Sequence, residues 1–325
     1  MPGEFEPIEA VWLARPRNRE TWPGCLDRAV EQWEAFGDAL AERVVVRVVD
    51  EELGVAPNDA WVRDYGPIFV VDDRGGLACH DFVFNGWGGK YGDEYGLDDA
   101  VPRRIAERLG IHCDMHDMVL EGGSIDVNGR GTVMTTEQCL LDAGRNPGMD
   151  RPEVEAALHD SLGVRHLIWL PGGIEGDDTD GHIDDVARFI APGAVVAARA
   201  PRGHPDHAML ERNFEALRRA TDEDGRSLEL FELPSPEAIA YNYPADRFGP
   251  GGRSTCPASY ANFLIVNGAV YLPVFGQDRD REAIRAMSRA MPGREVVPVR
   301  SEWLVVGLGA LHCLSVQQPA RVNGG

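Results

Sequence analysis

One pattern constrains this chain before any other: a helix, a short aliphatic strand and an irregular polar segment, in that order, five times over. The first helix is expected over residues 26–43, where Val30, Trp33, Phe36 and Leu40 recur at helical spacing, and a strand follows at 44–49. A helix over 98–109 leads to a strand near 117–120, and one over 151–162, closed by Gly163, leads to 166–170. A fourth, over 205–220, precedes a strand at 228–233. The fifth, over 279–291 and closed by Pro292-Gly293, precedes 295–299. Between the units lie strand pairs with turn chemistry at their tips: Asp72-Asp73-Arg74-Gly75-Gly76, Asn128-Gly129, Ala191-Pro192-Gly193 and Asn267-Gly268. Helix starts advance by roughly 63 residues, and repetition at such a period marks an array of like modules. The expectation is a single α/β domain over residues 1–325, since no Pro/Ser/Gly-rich linker divides the chain.

Charge narrows the partners. With 53 acidic residues against 32 basic ones, the net charge is −21, which repels a phosphate backbone and argues against nucleic acid. No apolar run reaches the ~18–20 residues of a membrane span, and the first residues lack a secretory pattern. Six scattered cysteines without a C-x-x-C spacing read as reduced thiols in a cytoplasmic enzyme. Lys90 is the sole lysine, which we take as base composition of the genome. Whether the chain forms a homo-oligomer stays open.

Each post-strand segment carries unusual polarity: Asn58-Asp59-Ala60-Trp61-Val62-Arg63-Asp64, Glu121-Gly122-Gly123-Ser124, Gly181-His182-Ile183-Asp184-Asp185, Ser259-Tyr260-Ala261-Asn262-Phe263 and Gly307-Leu308-Gly309-Ala310-Leu311-His312-Cys313. If the modules form a ring, equivalent loops meet at its axis. They then pool a thiol, an imidazole, an amide and several carboxylates, an inventory suited to covalent catalysis on a cation.

These five motifs, in this order, resemble the agmatine deiminases and the Porphyromonas-type peptidylarginine deiminases of the guanidino-group-modifying superfamily, across residues 12–318. The resemblance implies a five-bladed α/β-propeller of pseudo-fivefold ββαβ modules around a polar centre. It implies hydrolytic deimination of a small cationic guanidino substrate, agmatine first, giving N-carbamoylputrescine and ammonia, with no cofactor and no metal. Cys313 would be the nucleophile, His182 the acid and base, and Glu121 its orienting partner. Asp64 and Asp184 would grip the guanidinium, Asn262 shape the pocket, and Trp61 meet the aliphatic stem. A planar guanidinium with five N–H donors suits two carboxylates from separate loops. Nearby acids should raise the resting pKa of Cys313, and a bound cation should lower it again.

Plainer readings compete. Cys313 could be a small buried hydrophobe, but the glycines at 307 and 309 suggest a flexible, accessible loop. The second His-Cys pair, His112-Cys113, falls between a helix end and a strand start and is assigned to structure. Cys25, Cys79, Cys139 and Cys256 are read as packing. The acidic segment 177–185 could hold a hard cation, although a solvated loop is the simpler reading. Gly86-x-Gly88-Gly89 is no dinucleotide fingerprint. Departures from the family pattern are Tyr65 for Thr, Asp126 for His, Gly307-Leu308-Gly309-Ala310 for Gly-Gly-Gly-Asn, and Leu314-Ser315-Val316 for Ile-Thr. A peptidyl or C-terminal arginine deiminase, an amidinotransferase and a non-catalytic guanidinium-binding module remain the alternatives.

Overall fold

The computed structural model describes residues 1–72, 74–91, 95–244 and 251–321. β1 (Ile8–Leu13) leads through the helix Leu26–Ala41 to β2 (Val45–Val48), which returns parallel to it. That helix forms because Ala29, Trp33, Phe36 and Leu40 make one apolar stripe, and the stripe is buried. The next unit is a hairpin of β3 (Ile68–Val71) and β4 (Leu77–Val83), the helix Val101–Leu109, then β5 (His112–Val119) parallel to β4. β6 (Asp126–Val127), β7 (Thr132–Thr136), the helix Arg151–Leu162 and β8 (His166–Leu170) repeat the order. Here Asp150 closes a capping box with Glu153, and Gly163 stops the helix in the left-handed region. β9 (Ala187–Ala191), β10 (Ala194–Arg199), the helix His207–Leu217 and β11 (Glu229–Pro234) follow.

An extra hairpin, β12 (Ile239–Tyr243) with β13 (Gly252–Cys256), interrupts before β14 (Leu264–Val266), β15 (Ala269–Val274), the helix Arg279–Ala290 and β16 (Glu295–Arg300). Finally β17 (Ser315–Pro319) runs antiparallel to β1, so the two chain ends together supply the hairpin that the first unit lacks. Among the described residues there are thus five three-stranded sheets of one design, each with an antiparallel and a parallel neighbour to its central strand. Strands flanked on both sides read as continuous apolar runs, as β10 and β15 do. Apolar side chains pack in four clusters between sheets and helices.

The five expected helices start at Leu26, Val101, Arg151, His207 and Arg279. All four turn motifs sit at hairpin tips, although Asp73 of the first lies outside the described residues. Two boundaries move. The second expected helix is split into Gly96–Asp99 and Val101–Leu109, and in the first piece the buried Asp98 carboxylate accepts the backbone N–H groups of Asn58 and Asp59. Its strand begins at His112, not near 117, so the His112-Cys113 pair lies within β5, with Cys113 in register opposite Cys79. No helix among the described residues is long and apolar enough to cross a membrane.

What positions the site is a repeated detail. The chain makes a tight turn just before the first strand of a sheet: Val62–Tyr65 before β3, Gly122–Ser124 before β6, and Ile183–Asp185 before β9. Before β17 the turn that directly precedes the strand spans residues 311–314.

Candidate active site

Asp64 sits in the first of these turns, Glu121 enters the second, His182 enters the third and Asp184 sits within it, Asn262 precedes β14 and Cys313 precedes β17. All six are buried. Asn262 Nδ2 donates to Cys313 Sγ at 3.0 Å, and the thiol faces Asp184 Oδ2 at 3.7 Å. His182 stands between two carboxylates, its Nδ1 3.6 Å from Asp64 Oδ1 and its Nε2 3.8 Å from Glu121 Oε2. Among the described residues, neither ring nitrogen has a hydrogen-bond partner within 3.5 Å. Gly123 shows how tightly this is built: a Cβ there would lie 2.5 Å from His182 Nδ1, 2.7 Å from Asp64 Oδ1 and 3.1 Å from Asp184 Oδ2. Imidazole and both acids therefore crowd around one glycine, and Asp184 links that group to the sulfur.

Electrostatics divides the acids. Burial would favour the neutral form of Glu121, but the Arg145 guanidinium, whose Nε lies 3.0 Å from Oε1 and 2.9 Å from Oε2, holds it ionised with a pKa of about 2. Asp64 has no such cation. Burial pushes it up to about 6, against the pull of His182 and of the Trp87 indole N–H, which donates to Oδ2 at 2.9 Å. Burial also opposes a charge on His182, yet Asp64, Cys139 and Glu121 outweigh it and raise its pKa well above the usual histidine range. Cys313 is raised well above the ordinary thiol value, by burial first and then by Asp184, Asp185 and Asp64. At rest these environments favour a neutral thiol at Cys313 and a charged imidazole at His182.

Several contributors were not legible in the sequence. His312 donates or accepts with both ring nitrogens, Nδ1 to Asp184 Oδ2 at 2.7 Å and Nε2 to Glu4 Oε2 at 2.9 Å. Glu4 in turn pairs with Arg188 at 2.8 Å. Arg188 also reaches Asp126, which explains that departure: where a histidine was expected, the carboxylate neutralises a fully buried arginine. Arg145 ties Glu121 to the loop that carries His182, through Asp180 Oδ2 at 3.1 Å and the Thr179 carbonyl at 2.6 Å. Trp87 lies in a left-handed run, with φ of 68°, 54°, 82° and 76° at residues 86 to 89. Three glycines around one tryptophan were the available signal, since only glycine adopts such φ values freely. Tyr65, the other departure, spends its hydroxyl on the Asp59 carbonyl at 2.7 Å.

The pocket above Cys313, about 410 Å³ of empty space, is walled by Trp61, Trp87, Tyr91 and Tyr95 and reaches Asp64. Trp61 serves as core and wall together, with its ring 5.2 Å from that of Trp22. Two expectations need correction. The Cys313 segment is not open, and Cys313 is 5 % exposed. Gly307 and Gly309 are there because a Cβ at 307 would overlap the Trp22 indole, and one at 309 would lie 2.6 Å from Trp61. Cys139 is more than packing, since its sulfur, a His182 nitrogen and a Glu121 oxygen lie within 4.8 Å of one another. Such a trio could ligate a metal, but Arg145 already engages both Glu121 oxygens. The acidic segment 177–185 is not gathered around a cation. Asp177 accepts from Thr179, Gly181 and His182, Asp180 pairs with Lys90 and Arg145, and Asp185 accepts from Asn262.

Known proteins share this arrangement of chain. A model of the Porphyromonas-type peptidyl-arginine deiminase family matches residues 1–319. An agmatine deiminase of Stutzerimonas stutzeri is 37 % identical over 98 % of this chain and 95 % of its own length. A solved agmatine deiminase of Enterococcus faecalis superposes with a TM-score of 0.93 at 34 % identity, covering 99 % of this chain and 96 % of that one. A cysteine-to-serine agmatine deiminase of C. jejuni with substrate bound gives 0.87 at 28 %, over 99 % and 96 %. An amidinotransferase of Microseira wollei, 13 % identical with a TM-score of 0.61 over 100 % and 99 %, shares the fold alone. By its sequence over nearly its whole length, this chain belongs to the Porphyromonas-type peptidyl-arginine deiminase family.

Proposed function

We propose that this chain is a hydrolase that deiminates a linear guanidino substrate, agmatine above all, releasing ammonia and N-carbamoylputrescine. The observation that carries the reading is a buried thiol at 3.0 Å from Asn262 and 3.7 Å from Asp184, in a pocket it lines together with Asp64, while Asp64 and Glu121 hold an imidazole between them. Asp64 and Asp184 come from separate turns and fit opposite edges of a planar cation. Trp61 takes the methylene stem.

The order of events follows from the charges. As the guanidinium enters, its positive charge offsets the acids that keep Cys313 protonated, and the thiol loses its proton to solvent. The thiolate adds to the guanidinium carbon. His182, kept charged by Asp64 and Glu121, gives its proton to the departing nitrogen, the C–N bond breaks and ammonia leaves. The now neutral imidazole takes a proton from water, which attacks the thiouronium carbon. The C–S bond then breaks, leaving the ureido product and free Cys313.

Five sheets of one design, joined end to end by β1 and β17, support reading the chain as a single domain and a five-bladed α/β-propeller with this site at its centre. Six unpaired cysteines suit a cytoplasmic enzyme. Ammonia release across agmatine, arginine and arginine-ended peptides tests the function. Release from none of them refutes it, as does a Cys313→Ser protein turning over at near wild-type rate. Amidino transfer to an added amine without ammonia would make it an amidinotransferase.

A further inference from the structure

Beyond the inner pocket lies a second, open depression lined by residues that include Lys90, Glu175 and Arg253. Three residues line both spaces, Tyr91, Asp178 and Leu308, and so mark the boundary, or neck, between them. Leu308 is the unusual one. Its φ is +75°, a left-handed conformation that a branched side chain adopts only at a cost. The strain cannot relax by shifting the loop. The Leu308 N–H closes a turn on the Val305 carbonyl at 3.0 Å, and on either side Gly307 and Gly309 are pinned against Trp22 and Trp61. A glycine at 308 would remove the strain and the side chain together. The chain instead holds an isobutyl group at the boundary of the two spaces.

We propose that Leu308 determines specificity by its bulk: it limits the neck to slim, unbranched guanidino alkylamines and excludes an arginine residue inside a peptide, whose α-carbon carries two amide arms. This rests on the deiminase reading and names the substrate class of that site. A polar rim does not supply the same selection, because it acts on charge, whereas the neck acts on width.

The test compares kcat/KM for agmatine and for Nα-acetylarginine amide in the wild type and in Leu308→Ala, Leu308→Gly and Leu308→Met, with ammonia as the readout. Alanine keeps the left-handed strain while removing the bulk, glycine removes both, and methionine keeps the length. The amide-to-agmatine ratio is expected to rise at least about 10-fold in both the Ala and Gly variants and to stay within about threefold in Met. A ratio unchanged in Ala overturns the proposal, whether or not Gly changes it, because bulk is then not the determinant. Wild-type protein that releases no ammonia from any guanidine refutes the deiminase reading itself, which is a separate result.

Discussion

Gly123→Ala is the sharpest probe of the site. Gly123 lies in a short helical turn with φ outside the left-handed region, so alanine suits its backbone. The added carbon has nowhere to go: it would stand 2.5 Å from His182 Nδ1 and 2.7 Å from Asp64 Oδ1, where ordinary contacts begin near 3.4 Å. The imidazole and the carboxylate must each retreat by the better part of an ångström. Misplacing a reacting group by about 1 Å costs on the order of 100-fold in rate. Overpacking a buried site costs about 1–3 kcal/mol of stability, which a protein of this size tolerates. The expected result is therefore a folded protein, melting a few degrees lower, with kcat/KM for agmatine down roughly 100-fold. Gly96→Ala is the control, because its Cβ meets nothing within 4 Å. Thermal unfolding and steady-state ammonia release decide the matter. Activity of Gly123→Ala within threefold of wild type would refute the claim that this glycine is the contact point of the catalytic groups.

Three further outcomes follow from the charges. The kcat/KM for agmatine should rise with pH through about 6 as Asp64 ionises, and Trp87→Phe, which deletes a bond that lowers this pKa, should move the limb to higher pH; a pH–rate profile with no shift, or a shift downward, contradicts the assignment. Arg145→Lys loses the two-oxygen grip on Glu121, so Glu121 holds less charge, the pKa of His182 falls and the alkaline limb should move to lower pH; Arg145→Met leaves a buried carboxylate unpaired and should cost about 3–5 kcal/mol in denaturant unfolding. Because Glu121 is ionised in the fold down to a pKa of about 2, the stability it lends is full above its ordinary value near 4.5 and lost as pH falls toward 2; Glu121→Gln should flatten the stability-versus-pH curve across that window, and an equally steep curve would count against it.

Much of the architecture could be read along the chain because it depends on local periodicity. Trp33, Phe36 and Leu40 recur at helical spacing, Asp150 and Gly163 bound a helix by their own backbone chemistry, and Asn128-Gly129 or Asn267-Gly268 turn a hairpin wherever it is. The polar segments that carry Asp64, Glu121, His182, Asp184, Asn262 and Cys313 were visible for a related reason, one after the strand of each module, but the choice of those residues rested on the resemblance to known deiminases. Their partners were not. Glu4 meets His312 across 308 positions, and Arg188 meets Asp126 across 62. No spacing rule links a charge to a counter-charge supplied by another sheet. Nor could the sequence tell a mobile glycine from a crowded one; Gly307 and Gly309 read as flexibility until Trp22 and Trp61 were seen in the space beside them. The sequence by itself determined the modules and the kinds of groups they present, since both rest on interactions a few residues long. Only the tertiary structure decided which acid keeps its proton, which stays charged, and which side chain stands at the boundary of the two spaces, because burial and ion pairing depend on what the rest of the fold brings within a few ångströms.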